Sequence, residues 1–301
     1  MVKVFAPAKI NLTLHITGQR DDGYHELDSL VSFASVGDEL WMLEAGVSSL
    51  TVEGPESEGV PADMSNLAMK AAQFGGAGRQ AAITLTKHLP VASGIGGGSA
   101  DAAAAWRGML LLGPDGETQV DTQFAMPEIM LETQMRGLLS LGADVPMCVI
   151  SRPLRANGIG DKISLHNLPQ VPCVLVNPRV PVSTPPVFKA LKTKENPPMP
   201  VDMPAFESAG ELIMWLKDQR NDLQEPAISI APVIADVLDQ LTGCAGIGLA
   251  RMSGSGATCF GLFENIDDAK SAAESLNANH PDWWVAGCIL GDMSEKALPT
   301  P

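Results

Sequence analysis

The first residues of the chain alternate between apolar and polar side chains, a pattern that predicts a β-strand over 2–17. Lys9 and Asn11 share one face of this strand, because side chains two residues apart point the same way. The opposite face carries Ile10, Leu12, Leu14 and Ile16. Similar runs predict strands over 29–36, 39–43, 48–52 and 81–87. Helices are predicted from Asn66 onward and, in an alanine-rich stretch, over about 99–112.

The second half of the chain mixes strand and helix patterns without strict alternation, which favours an α+β fold over a doubly wound sheet. Its predicted strands lie at 172–177, 247–252, 257–263 and 283–289, and its predicted helices at 206–217, 232–241 and 266–276. A proline-rich loop is predicted at 195–204, and segment 113–135, which carries no motif, is interpreted as a loop and helix. The length of 301 residues predicts two domains, over 1–155 and 156–301.

A glycine-rich loop stands directly before the alanine-rich helix, in residues 90–105. Glycine permits positive φ and close approach of backbone N–H groups, and a helix N-terminus adds positive potential, so the loop is a candidate phosphate site. The P-loop motif is excluded because no lysine follows the glycines, and the dinucleotide fingerprint because Ser99 replaces its third glycine. A plain glycine turn capping the helix is the alternative. The candidate nucleotide-binding residues are Pro90, Gly94, Ile95, Gly96, Gly97, Gly98, Ser99 and Ala100.

Composition narrows the class of partner. The formal charge of −15 argues against nucleic acid or an anionic membrane, since neither is bound without clustered Lys and Arg. No uncharged apolar stretch reaches the ~18 residues of a membrane span, and the N-terminus lacks an apolar leader, so we expect an unexported protein. The five cysteines form no Cys-x-x-Cys pair, and the five histidines do not cluster near them, so no zinc site is predicted. Cysteines in apolar runs are typical of reduced thiols, which indicates a cytoplasmic protein.

Three separated motifs resemble those of the GHMP kinases. They are the lysine-bearing segment 7–12, the Pro-x-x-x-Gly-x-Gly-Gly-Gly-Ser loop at 90–99, and the glycine turn at 253–258. The resemblance implies a two-domain GHMP-kinase fold, with a ribosomal-protein-S5-domain-2-like N-terminal domain and a ferredoxin-like C-terminal domain. It also implies phosphoryl transfer from ATP to a small-molecule alcohol, with Mg²⁺ and without a covalent enzyme intermediate. We expect a monomer or a weak homodimer.

The same resemblance implies a catalytic pair. Asp144 would take the proton of the acceptor hydroxyl, and Lys9 would orient it and offset the charge of the transferred group. Asp144 stands between Gly142 and Pro146, at an expected loop-to-strand junction. Considered alone, Asp144 fits equally well as a turn or helix cap, and Lys9 as a solvated strand lysine.

The Asp-Gly-Tyr-His segment ending at His25 resembles the branch of the family that phosphorylates a cytidine-diphosphate-linked methylerythritol for isoprenoid biosynthesis. By this resemblance Tyr24 and Phe188 stack on the cytosine, His25 bonds its edge, and Asn11 and Thr184 also bind substrate. Considered without the resemblance, Tyr24 and Phe188 are packing residues and His25 is a surface histidine. The alternatives are another GHMP kinase, acting on mevalonate, homoserine or a sugar, and a catalytically silent nucleotide-binding protein.

The same resemblance assigns two lesser roles. Gly254 and Gly256 would let the C-terminal turn support the phosphate loop, although a plain hairpin turn is equally compatible with their spacing. The family often has two serines after the glycines, and here Ala100 follows Ser99, so one hydroxyl is available there. Ser99 is therefore the candidate ligand for Mg²⁺. The alternatives are that Asp101 reaches the ion through water, or that the nucleotide mainly holds it, since Mg²⁺ usually retains several waters.

Overall fold

A computed structural model describes residues 1–112 and 132–301. Its strands are β1 (Val2–Asn11), β2 (His15–Gln19), β3 (His25–Glu44), β4 (Ser49–Glu53), β5 (Ala81–Thr86), β6 (Leu154–Gly158), β7 (Lys162–Leu165), β8 (Val171–Asn177), β9 (Ile247–Met252), β10 (Cys259–Phe263) and β11 (Trp284–Gly291). Its helices are α1 (Leu67–Gly75), α2 (Gly97–Leu111), α3 (Glu132–Leu141), α4 (Val145–Ile150), α5 (Thr184–Lys189), α6 (Ala209–Lys217), α7 (Gln224–Ile230), α8 (Val233–Thr242) and α9 (Ile266–Asn279). Most of the predicted loop and helix at 113–135 lies outside the described residues. Only 132–135 are described, and they begin α3.

Strand β3 organises the sheet. It pairs antiparallel with β1, β2, β5, β6 and β11, and the main path through the sheet runs β4-β5-β3-β11-β8-β10-β9. The sequence predicts two strands, 29–36 and 39–43, where the structure has one. Gly37 and Asp38 break the apolar pattern of the sequence between the two predicted strands. In the structure both belong to β3: Asp38 is fully buried, and Gly37 lies too close to Ala6 for any side chain to fit.

The predicted strand over 2–17 is two strands, β1 and β2. The chain leaves the β1 register after Asn11 because the Thr13 hydroxyl accepts a hydrogen bond from the Leu30 N–H at 2.8 Å, while the Leu14 N–H donates to the Arg220 carbonyl. The predicted sharing of a face by Lys9 and Asn11 is confirmed, and both side chains are buried. The polar face of β1 therefore points into the protein interior.

Helix α2 carries the glycine loop against the sheet. Gly96 is its N-cap residue, with φ of +66°, and the helix begins at Gly97, two residues before the predicted start. Ala100 and residues 102–105 are buried, and their small side chains let α2 pack closely against β1, α1 and α4. The loop is thus fixed between β5 and the buried first turns of α2.

Asp144 precedes a helix and not the expected strand. The apolar run Val145–Ile150 forms α4, whose second residue is Pro146. A short apolar run fits a buried strand or a buried helix equally by periodicity, but proline suits the first turn of a helix, where its missing N–H has no partner to lose. The other predicted strands and helices of the C-terminal half are confirmed to within a few residues. In the described ranges no helix combines the length and apolar character needed to cross a membrane.

Candidate active site

A cavity of about 930 Å³ opens where the end of β1, the glycine loop and the first residues of α4 and α5 meet. It brings together predicted residues from distant parts of the sequence. Those that line it are Lys9, Asn11, Tyr24, His25, Gly94, Gly96, Ser99, Asp144, Thr184, Phe188 and Gly254. Pro90, Ile95, Gly97, Gly98, Ala100 and Gly256 belong to the same loops but do not line the cavity.

Lys9 and Asp144 form an ion pair inside this cavity. The Lys9 ammonium lies 2.9 Å from Asp144 Oδ2 and donates to Asn11 Oδ1 at 2.8 Å. Only 5% of the Lys9 side chain is exposed, against 39% of the Asp144 side chain. Asn11 is held in turn, because its Nδ2 donates to Ser29 Oγ at 2.8 Å. A fixed cation therefore orients a carboxylate that faces the open space.

The glycine loop is shaped by contacts that exclude side chains. Gly94 and Gly96 have φ of +75° and +66°, and a Cβ on Gly94 would lie 2.7 Å from the Ser253 and Gly256 carbonyl oxygens. The Lys9 N–H donates to the Ile95 carbonyl at 2.9 Å, which joins the loop to β1. Gly97 and Gly98 are less crowded, since a Cβ on Gly97 would lie 3.6 Å from its nearest neighbour and one on Gly98 3.9 Å. Since no side chain caps α2, its first N–H groups remain available to an anion.

A buried charged cluster lies directly behind the loop. Lys87 Nζ is paired with Asp38, and lies 2.8 Å from Asp101 Oδ2 on α2. Asp38 also accepts the backbone N–H groups of His88 and Leu89. Burial raises the pKa of Asp101 to about 8, which favours the neutral form of this carboxyl group. Burial by itself lowers the pKa of Lys87, but the two acidic groups raise it overall.

The C-terminal glycine turn touches both the loop and β1. Ser253 is fully buried, and its hydroxyl accepts the Asn11 N–H at 3.1 Å and donates to the Gly94 carbonyl at 3.2 Å. Asn221 Nδ2 donates to the Met252 and Gly254 carbonyls and so fixes the turn from the other side. One hydroxyl thus joins the strand of the Lys9–Asp144 pair, the glycine loop and the C-terminal turn.

The aromatic end of the cavity contains Tyr24, His25 and Phe188. The Tyr24 side chain is 63% exposed, and the rings of His25 and Phe188 lie 4.8 Å apart, tilted by 32°. His25 Nε2 is buried and has no hydrogen-bond partner in the protein, so this atom is free to bond a ligand. Burial lowers the pKa of His25, and the nearby ammonium of Lys194 lowers it further, so the ring is neutral at pH 7.

Several residues that line the cavity were not predicted from the sequence. Ser255 Oγ lies 2.9 Å from the Thr184 hydroxyl, and its position between two glycines was the available signal. Lys189 directly follows Phe188 and ends α5, a proximity that could have identified it. Lys194 and Asp22 also line the cavity, and neither belongs to a motif that indicates a ligand.

The residues present offer little to a metal ion by themselves. Among the described residues, no group of three or more His, Cys, Asp or Glu side chains is placed to hold one. Ser99 lines the cavity, whereas Asp101 is buried against Lys87 and does not. A single hydroxyl fits Mg²⁺, which is usually bound by one or two protein ligands together with waters and substrate phosphates.

A helix N-terminus suited to phosphate lies next to a lysine-held carboxylate, an arrangement that fits a phosphotransferase. Two family descriptions match the chain: "GHMP kinases N terminal domain" over residues 66–152 and "GHMP kinases C terminal" over residues 202–282. The 4-diphosphocytidyl-2-C-methyl-D-erythritol kinase of Roseobacter denitrificans is 52% identical over 99% of this chain and 97% of its own. The chain therefore belongs to the GHMP kinases, in the 4-diphosphocytidyl-2-C-methyl-D-erythritol kinase family.

Solved structures agree with this assignment. A crystal structure of 4-(cytidine 5'-diphospho)-2C-methyl-D-erythritol kinase is 31% identical, with a TM-score of 0.72 over 96% of this chain and 99% of that one. Homoserine kinase from Cytophaga hutchinsonii has a TM-score of 0.66 at 17% identity, over 99% of this chain and 96% of its own, which shows a common fold. The predicted α+β GHMP-kinase fold is confirmed, and family membership implies the use of ATP.

Proposed function

We propose that this protein transfers the γ-phosphoryl group of ATP to the 2-hydroxyl of 4-diphosphocytidyl-2-C-methyl-D-erythritol, a step in isoprenoid biosynthesis. The observation that carries the proposal is the 2.9 Å pair of Lys9 and Asp144, in one cavity with the glycine loop and with the Tyr24, His25 and Phe188 rings. This combination offers a base, a phosphate site and a surface for a pyrimidine.

The proposed chemistry is a direct in-line transfer. Asp144 accepts the proton of the substrate hydroxyl as the hydroxyl oxygen attacks the γ-phosphorus. The bond from that phosphorus to the bridging oxygen then breaks, and ADP leaves. Lys9 is held by Asn11 at 2.8 Å, so its charge stays in place to stabilise the negative charge of the transferred group. The backbone N–H groups at the start of α2 bind the nucleotide phosphates.

Mg²⁺ fits this site through Ser99. Its role when bound is to neutralise charge on the nucleotide phosphates during transfer. Ser99 would supply one ligand from the glycine loop and leave the other ligand positions to phosphate oxygens and water. Burial raises the pKa of Asp101 behind the loop, which disfavours a further negative charge close to the phosphate site.

Recognition of the base separates this function from those of other GHMP kinases. Tyr24 and Phe188 supply aromatic faces, and His25 Nε2 supplies an unbonded polar atom for the edge of the cytosine. Asn11 and Thr184 line the path from the base to the reacting hydroxyl. Mevalonate, homoserine and sugars offer no base to stack, so these aromatic groups would have no purpose in kinases acting on them.

An ADP-release assay with ATP and Mg²⁺ tests the proposal. The substrate panel contains 4-diphosphocytidyl-2-C-methyl-D-erythritol, methylerythritol phosphate, mevalonate and homoserine, and phosphorus NMR identifies the product. Turnover of the cytidine conjugate alone is the expected result. Turnover of mevalonate or homoserine would refute the base-recognition assignment, and ATP binding without any turnover would support a silent nucleotide-binding protein.

We further propose a cytoplasmic protein that is a monomer or a weak homodimer. Its five cysteines are free thiols, and Cys148, Cys173, Cys259 and Cys288 are buried, which suits a reducing compartment. Light scattering across a range of protein concentrations tests the oligomeric state. A stable tetramer would contradict it.

A further inference from the structure

The charges that line the cavity do not balance, although the protein as a whole is acidic. The two lining carboxylates each have a cation partner: Asp144 pairs with Lys9, and Asp22 lies 3.0 Å from the Arg20 guanidinium. Two more ammonium groups line the cavity, those of Lys189 and Lys194. Neither is paired with a carboxylate in the part of the chain that the structure describes. The cavity wall therefore carries excess positive charge in a protein of formal charge −15.

Both unpaired lysines lie at the aromatic end of the cavity. Lys189 follows Phe188 as the last residue of α5. Lys194 donates to Gln19 Oε1 at 3.0 Å, which holds its ammonium near His25 closely enough to lower the pKa of that ring. The positive charge is thus placed beside the proposed base site, next to the rings of His25 and Phe188, which are 4.8 Å apart.

A substrate that carries a diphosphate between its base and its reacting alcohol needs positive charge for the diphosphate, in addition to the groups that bind the base. The Lys9 ammonium is already occupied by Asp144 and Asn11. The N–H groups at the start of α2 are assigned to the nucleotide phosphates. Lys189 and Lys194 are the two cavity-lining ammonium groups that remain among the described residues.

We propose that Lys189 and Lys194 bind the diphosphate of the substrate and thereby select cytidine diphosphate conjugates over cytidine itself. This inference rests on the proposed function, because it places the base beside His25 and Phe188. Each lysine acts as a flexible point charge, so the contribution arises from Coulomb attraction and charge-assisted hydrogen bonds. Such contacts in an open cleft weaken as ionic strength rises.

Calorimetric titration of the unaltered protein and of single variants with CDP and with cytidine tests the proposal. Lys189→Met and Lys194→Met keep the alkyl chain and remove the charge. We expect each to weaken CDP binding about five- to tenfold, with cytidine binding changed less than twofold. The dependence of CDP affinity on salt should also become shallower in each variant.

Lys192→Met is the matched control. Lys192 is an exposed lysine on the same segment and does not line the cavity, so its loss should change neither affinity. Equal weakening of CDP and cytidine by the two test variants, or no weakening of CDP, would overturn the diphosphate assignment alone. Failure of the unaltered protein to bind either ligand would overturn the proposed function and the diphosphate assignment with it.

Discussion

Replacement of Ser253 by alanine tests whether the C-terminal turn positions β1, the strand that carries Lys9 and Asn11. Its hydroxyl accepts the Asn11 N–H at 3.1 Å and donates to the Gly94 carbonyl at 3.2 Å, in a fully buried position. Alanine leaves the buried Asn11 N–H without an acceptor. The Gly94 carbonyl is part of a half-exposed residue and can bond water instead.

The expected loss of stability follows from the one amide that stays unsatisfied. An unpaired buried donor costs about 1–3 kcal/mol, which corresponds to a fall in Tm of about 2–5 °C for a chain of this size. The same change frees Gly94 and Asn11 to move apart, and Asn11 holds Lys9. We therefore expect kcat to fall about tenfold at 25 °C, where the variant is still folded.

Thr258→Val provides the comparison. The Thr258 hydroxyl is also fully buried, at the end of the same turn, but it accepts only from Asn177 Nδ2, at 2.8 Å. Thermal denaturation and steady-state kinetics of both variants separate stability from positioning. A similar loss of Tm with an unchanged kcat is expected for Thr258→Val. If Ser253→Ala also kept its full kcat, the positioning argument would be refuted.

Four further changes test individual assignments. Asp144→Asn should lower kcat by about 10²–10⁴ with little change in Tm, since the carboxylate is 39% exposed; normal turnover would remove Asp144 as the base. Phe188→Ala should raise KM for the cytidine substrate by roughly tenfold and leave KM for ATP unchanged, and an effect on ATP alone would contradict the stacking role. Gly98→Val should fold, because Gly98 is exposed and a Cβ there has no neighbour closer than 3.9 Å, yet lose ATP binding in a nucleotide titration; retained affinity would place ATP elsewhere. Asp101→Asn should gain stability over the unaltered protein as pH rises from 5 to 8. Burial raises the pKa of Asp101 from 3.8 to about 8 in the folded protein, so the folded form holds a proton that the unfolded form releases over this range, and the unaltered protein loses stability as pH rises. Thermal melts in which the Tm difference between variant and unaltered protein shrinks as pH rises would contradict this.

The local motifs were predictable because each depends on neighbouring residues. The glycine loop needs only glycine spacing before an alanine-rich run, and alternation alone puts Lys9 and Asn11 on one face. That Lys9 meets Asp144 followed from the family resemblance, since no local pattern relates residues so far apart. The geometry of this pair agrees with that expectation, and its catalytic role remains a prediction.

Features that depend on long-range packing were not predictable. Asp38 lies in β3, Asp101 in α2, and Lys87 directly after β5, and the three become a cluster only when these elements pack together. No pattern in the sequence relates them to one another. Asp38 also hid the continuity of β3, because a charged residue normally ends an apolar pattern. Lys194 is held at the cavity by its hydrogen bond to Gln19, a contact that no local sequence pattern indicates.

The pairing of the central strand has a consequence for the order in which the enzyme is made. Phe33 of β3 lies opposite Lys9 on one side and Gly291 on the other, so the strand beside Lys9 pairs with β11, which follows it by about 250 residues in the sequence. During synthesis, Lys9, Asp144 and the glycine loop all emerge from the ribosome before β11 does. A chain cut short before β11 would thus hold the whole Lys9–Asp144 site and lack the sheet partner that supports it.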